Sequence, residues 1–179
     1  PIEKRVAYTE RQFWRNGMHG AVDLVEVHTD LVHAPKLRKS MSMTHADYAG
    51  GPGGVTNASR LVMAALHGAA SHLFDRMRYV TDIVMIVRAG VDADELVERT
   101  QACGANTPMR TGLALAHEIF GDAEAKRLRD AVPPVRGDMP AGLLVTAGTV
   151  LDAQGPRRGR SSWRRQAYRL ILDKQRADT

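Results

Sequence analysis

Residues 57–90, NASRLVMAALHGAASHLFDRMRYVTDIVMIVRAG, constrain the fold more than any other part of the chain. Leu61, Ala64, Ala65, Leu66, Ala69 and Leu73 recur three and four residues apart, which places them on one buried helix face. Asn57 or Ser59 offers a side-chain oxygen to cap the first N–H groups. A second apolar run, Val80, Ile83, Val84, Ile86 and Val87, stops at Gly90, a residue suited to a helix C-terminus. Polar residues interrupt both runs: His67, His72, Asp75, Arg76, Arg78 and Asp82. Arg78 and Asp82 share the four-residue spacing of a helix face, as do His72 and Arg76, so each pair can meet there. The simpler reading is a polar seam that fixes the packing of two core helices; the other is the wall of a site. A seam buries the Asp82 pair, so Asp82→Ala is expected to cost roughly 3 kcal/mol or more by leaving a buried arginine uncompensated.

At 179 residues the chain is long enough for one domain, or one domain with a small appendage. A 44% hydrophobic and 25% charged composition suits a soluble globular protein with a sizeable core. No apolar run reaches the roughly 18 residues of a membrane span, and no charged-then-apolar leader is visible. The single Cys103 cannot form an internal disulfide, so a reducing, cytoplasmic setting is expected, with Cys103 as a small packing residue. The net charge of +5 is concentrated in Arg157, Arg158, Arg160, Arg164, Arg165 and Arg169. Such a patch attracts any polyanion, nucleic acid included.

Taken in order, residues 4–9 are short and β-prone, and Asn16-Gly17 and His19-Gly20 are turn-like. From Leu24 the apolar and polar residues partly alternate, with Val25 and Val27 on one side and Glu26 and His28 on the other, as in a half-buried strand. These segments read as two antiparallel strands around a turn. Residues 33–56 read as a mobile glycine-rich loop from which Lys36, Arg38 and Lys39 can reach an anion; the Lys-Ser/Thr ending of a phosphate loop is missing. Asp92 and Glu95 form a capping-box-like helix start, and that helix runs to about Cys103, before Gly104. Thr107-Pro108 opens another helix that buries Met109, Leu113, Leu115, Ala116, Ile119 and Phe120 and ends at Gly121. A short helix is expected over 123–131. Residues 143–151 fit helix or strand. Residues 161–176 form an amphipathic helix with Trp163, Ala167, Leu170 and Ile171 inward and arginines outward. The expected fold class is α+β, with short antiparallel N-terminal strands followed by a mainly helical domain. Residues 1–56 would be the β region and loop, and 57–179 the helical domain.

Several chemistries are excluded by spacing. The sequence contains no Cys-x-x-Cys, no His-Glu-x-x-His and no Gly-x-Ser-x-Gly. His67 and His72, five residues apart, would lie about 140° from each other around an α-helix, a poor zinc pair.

Three segments together, VEVHTDL (25–31), LVMAALHGAASHLFDRMRYVTDIVMI (61–86) and the helix between Gly104 and Gly121, resemble the uncharacterised nucleotidyltransferase family of bacteria, in the polymerase-β-like superfamily. In that family an acid-hydrophobic-His strand is followed by a helix with a spaced His pair, then Arg-Leu and a downstream Asp-Ile. Glu26-Val27-His28 matches the first pattern, with Glu in place of Asp. His67, His72, Arg76 and Asp82-Ile83 match the second, with Met77 in place of Leu. The likeness covers residues 20–132 and implies that the strands belong to a nucleotidyltransferase-like sheet. It implies Glu26 as the third catalytic and metal-binding acid, and His28 and Arg76 as substrate-binding residues. It also implies Mg²⁺ with an NTP substrate.

The superfamily's Gly-Ser turn and Asp-x-Asp pair find no match before Glu26. Clustered carboxylates are needed to hold Mg²⁺ on the nucleotide phosphates. The chain is therefore expected to be a C-terminal portion that by itself binds Mg²⁺-NTP weakly and does not turn over. The expected reaction of the whole is transfer of a nucleoside monophosphate from an NTP to an acceptor hydroxyl. The alternative is a non-catalytic helical binding module that uses the Arg157–Arg169 region on nucleic acid or a protein partner.

Overall fold

The structure, a computed structural model, describes residues 2–3, 10–16, 22–28, 30–32, 34–49, 54–136, 138–152 and 163–174. Within 2–28 the side chains of Phe13, Val25 and Val27 alone are described. The helices are α1 (His45–Ala49), α2 (Asn57–Leu66), α3 (Met77–Arg88), α4 (Ala93–Ala102), α5 (Asn106–Phe120), α6 (Ala123–Ala131), α7 (Asp138–Leu144), α8 (Ala147–Leu151) and α9 (Trp163–Lys174).

The α+β expectation is overturned. Among the described residues from Asp30 onward there is no strand, and the buried core, which starts at Val32, is helix packed on helix. Upstream, the extended segments Glu10–Asn16 and Val22–His28 lie antiparallel to one another, but Phe13, Val25 and Val27 stand exposed. On the face that carries these three residues nothing among the described residues covers them, whereas a sheet layer of the fold needs a covered apolar face. Alternation along residues 24–28 describes how a segment is laid out, not whether anything packs over it. The described core is a helical assembly, and the expected nucleotidyltransferase-like front sheet is no part of it.

Local chemistry accounts for most helix ends. Thr56, rather than Asn57 or Ser59, caps α2 by accepting from the Ser59 N–H at 3.1 Å. Asn57 instead donates its amide to the carbonyls of Ala89 at 3.2 Å and Gly90 at 2.8 Å, tying the start of α2 to the end of α3. Asp92 caps α4 through the Glu95 N–H at 2.8 Å, and the Glu95 carboxylate accepts from the Thr56 hydroxyl and Arg99 Nε. Gly121 ends α5 in the left-handed region at φ 65°, where a Cβ is unfavourable. Asp122 then caps α6 and takes Arg88 Nε at 3.0 Å.

Two further expectations change. Of the segment read as a mobile loop, the stretch around residues 37–43 is docked: Leu37, Met41 and Met43 are core residues, and Ser42 N donates to the Cys103 carbonyl at 3.1 Å. At Gly104, φ 64°, a Cβ would collide with the Ser40 carbonyl, so the chain passes there only as glycine. Helix α9 is also turned from its expected face. Trp163 and Leu170 are exposed, while Arg165, Tyr168 and Leu172 point inward. The Tyr168 hydroxyl donates to Thr111 Oγ1 at 3.4 Å, and Arg165 reaches Asp75, so partners distant in sequence choose the face. Residues 143–151 resolve as the end of α7 and as α8.

Candidate functional site

The central stretch is not two clean helices. After Leu66 the backbone widens into a π-turn over His67–His72, and Leu73 and Phe74 then take positive φ values of 56° and 49°. For such side chains the left-handed region costs about 1–3 kcal/mol each, and it persists only where surrounding contacts over-determine it. Here Phe74 supplies them. Its ring is fully buried against Gly68 and Gly112, and a Cβ on Gly68 would stand 2.5 Å from Phe74 Cε1. Phe74 N–H closes the turn on the Gly68 carbonyl at 2.8 Å.

The π-turn changes which side chains are neighbours. A π-helix bonds residues five apart, so positions that diverge on an α-helix come together on one side. The His67 and His72 rings meet edge to face with centroids 4.8 Å apart. His72 also stacks on Tyr79 at 4.5 Å and 18°, and Arg78 sits over the Tyr79 ring while donating to its hydroxyl at 2.6 Å. Burial, then His67 and the guanidinium groups of Arg78, Arg165 and Arg76, push His72 from its ordinary 6.5 to about 4. His72 is therefore a neutral imidazole at physiological pH.

Helix α3 begins beside this cluster. Arg76 occupies its N-cap position with extended backbone, no side chain caps the helix, and its first turn carries no acidic residue. Arg76 is exposed, and its guanidinium has neither a hydrogen bond nor an ion pair among the described residues, while its carbonyl accepts the Tyr79 N–H at 3.1 Å. Arg165, from α9, approaches Asp75 at 3.4 Å, and Arg169 donates to the Ala70 carbonyl at 3.3 Å.

No family model, curated protein or solved structure matches the chain.

Of the three site residues expected from the resemblance, Arg76 lies at the cluster just described, together with His67 and His72 of the same motif. Glu26 and His28 lie in the extended segment Val22–His28, and their side chains are outside the described residues. The expected seam is not there. Asp82 is exposed, and the break at 73–76 removes the helix face that His72 and Arg76 would have shared. Tyr79, which holds the His pair, was missed, because at helical spacing it reads as one more core position. Cys103 is buried, and burial pushes its thiol up to about 11, which fits packing rather than nucleophilic attack.

Among the described residues no three His, Cys, Asp or Glu side chains gather as a metal site. A cleft of about 200 Å³ lined by Arg110, Thr111, Glu118, Arg129 and Asp138 shares no residue with the π-turn cluster. Its central polar pair serves the fold: Asp138 pairs with Arg110 at 2.6 Å and accepts from Thr107 and Val135. The π-turn cluster, with unengaged polar groups and strained backbone, is the better candidate for function. Among the described residues no helix is long and apolar enough to cross a membrane.

Proposed function

We propose that the chain is nucleotidyltransferase-like and receives the phosphate end of an NTP whose nucleoside monophosphate passes to an acceptor hydroxyl with release of pyrophosphate. One observation carries this reading: the Arg76 guanidinium stands unengaged at the uncapped start of a 12-residue helix, with Arg78 in its first turn. The backbone N–H groups and positive end of such a helix favour an anion, and a guanidinium adds directed donors. The pattern Glu26-Val27-His28 followed by His67, His72 and Arg76 supports the same assignment through its resemblance to the bacterial family.

Mg²⁺ enters through that resemblance alone, with Glu26 as the residue that would hold it and charge neutralisation on the phosphates as the chemistry it would supply. The Glu26 side chain lies outside the described residues, so Arg76 and not a metal site carries the reading. Arg76 binds and orients the phosphate end, and His28 contacts substrate.

The second reading, a basic module for nucleic acid, draws less support. Arg164 donates to the Leu144 carbonyl, Arg165 approaches Asp75 and Arg169 donates to the Ala70 carbonyl. Those three guanidinium groups serve the fold, and Arg157, Arg158 and Arg160 lie outside the described residues.

Titration of NTP into the wild-type chain and Arg76→Ala tests the proposal. The variant should bind about tenfold more weakly, roughly 1.4 kcal/mol, with unchanged thermal stability. Equal affinities would remove Arg76 from the site. Where transfer is measured, Glu26→Gln should abolish it, and retained turnover would reject Glu26 as the acid.

A further inference from the structure

The reading above leaves the π-turn histidines without a role. His72 is half-buried and held by ring contacts on two sides, yet its ring nitrogens take no hydrogen bond among the described residues. The titratable and charged groups around it come from four stretches of the chain. His67 lies on the same turn, Asp75 and Arg76 in the segment that follows, Arg78 and Asp82 on α3, and Arg165 on α9. Asp75 is directed toward Arg165, and Asp82 acts on Arg78, which is itself anchored on Tyr79. The positive charge left over is that of Arg76, whose carbonyl takes the N–H of Tyr79, the residue on which His72 stacks, at 3.1 Å.

A metal cation is a poor guest for this pair of imidazoles, because three guanidinium groups repel it. An oxyanion is a good one. It offsets the guanidinium field, accepts a hydrogen bond from the imidazole N–H, and draws a second proton onto the ring, since an adjacent anion stabilises imidazolium.

We propose that His72 is a phosphoryl-oxygen ligand of this cluster and takes up a proton from solvent when a pyrophosphate or triphosphate group binds beside Arg76. The proposal rests on the assignment of Arg76 to the phosphate end of a nucleotide, and it adds a second ligand and a pH dependence to that site. Tyr79 positions the imidazole, and the π-turn brings His67 against its other side. Binding strengthens as pH falls from 6.5 toward 4, because the anion carries the proton affinity of His72 upward out of that range.

The test is calorimetric titration of pyrophosphate at a pH midway between 4 and 6.5, repeated in buffers of different ionisation enthalpy to count protons. The wild-type chain should take up a substantial fraction of one proton per pyrophosphate bound. His72→Phe keeps the stack on Tyr79 and removes the titrating group. It should bind severalfold more weakly with no proton uptake, while Arg76→Ala should weaken binding in both backgrounds. Wild-type binding without proton uptake, or uptake that persists in His72→Phe, would overturn the assignment, as would the absence of pyrophosphate binding. Parallel titrations with NTP and inorganic phosphate identify the source of the oxyanion. Proton-coupled binding of pyrophosphate with no binding of NTP would reject the nucleotide reading and leave the His72 site standing.

Discussion

The His72 imidazole lies on the Tyr79 ring with centroids 4.5 Å apart and planes inclined by 18°. The contact joins the π-turn to the first turn of α3 across a backbone that has just passed through two left-handed residues. Stacking of this kind contributes about 0.5–1.5 kcal/mol beyond area burial. It also holds His72 in surroundings that oppose its charge.

Stability should therefore fall on mild acidification. The folded-state value of His72, about 4, lies below its ordinary 6.5, so the unfolded chain binds more protons between those limits. The contribution of neutral His72 is fully present above 6.5 and is lost progressively as pH falls toward 4. Urea midpoints measured across this window should decline in the wild-type chain and decline less in His72→Phe. Parallel slopes would mean that His72 is not the responsible group.

Gly68→Ala should destabilise the fold although alanine is the better helix former. The new Cβ would stand 2.5 Å from Phe74 Cε1, and the same ring edge already faces Gly112. Overpacking typically costs about 1–3 kcal/mol, against about 1 kcal/mol gained from helix propensity. A net loss of roughly 1 kcal/mol is expected in equilibrium unfolding. A stabilised variant would show that the Phe74 ring can retreat.

Asp82→Ala should change stability by no more than about 0.5 kcal/mol, because surface substitutions without special contacts stay within that range. This reverses the outcome that a buried seam would give, since Asp82 is exposed. A drop of several kcal/mol in urea unfolding would restore the seam.

Asp122→Ala should cost about 1–2 kcal/mol, the usual range for losing a helix cap. Asp122 is buried, accepts the Ala125 N–H at 3.0 Å and pairs with Arg88 at 3.0 Å. Burial pushes its carboxyl upward, but the Ala125 N–H and the Arg88 guanidinium outweigh burial and leave it below the usual 3.8. Its contribution is thus present above 3.8 and disappears as pH falls below that value. Thermal unfolding of the variant at neutral and at strongly acidic pH should show the deficit at the first condition only.

The sequence by itself determined what depends on neighbours along the chain. Asp92 capping α4, Gly121 ending α5 and the span of α6 over Ala123–Ala131 all follow from groups within one turn of each other. Arg76 was singled out from the sequence as a substrate-binding candidate, through its place in a resembling motif. The same motif holds His67 and His72, but their contact was not legible, because an α-helical count of five residues separates them and only a π-turn reunites them. That turn exists because Phe74 reaches a notch made by Gly68 and Gly112, and Gly112 belongs to another helix. The same physics turned α9, where Tyr168 against Thr111 and Arg165 toward Asp75 outvoted the apolar stripe. It also exposed Asp82, docked Met41 and Met43 in the core, and left Val25 and Val27 without the covering layer that a sheet requires. Periodicity reports the backbone a segment prefers. Which face is buried, and where a helix must break, depends on contacts between residues far apart in sequence, and those exist only once the chain is folded.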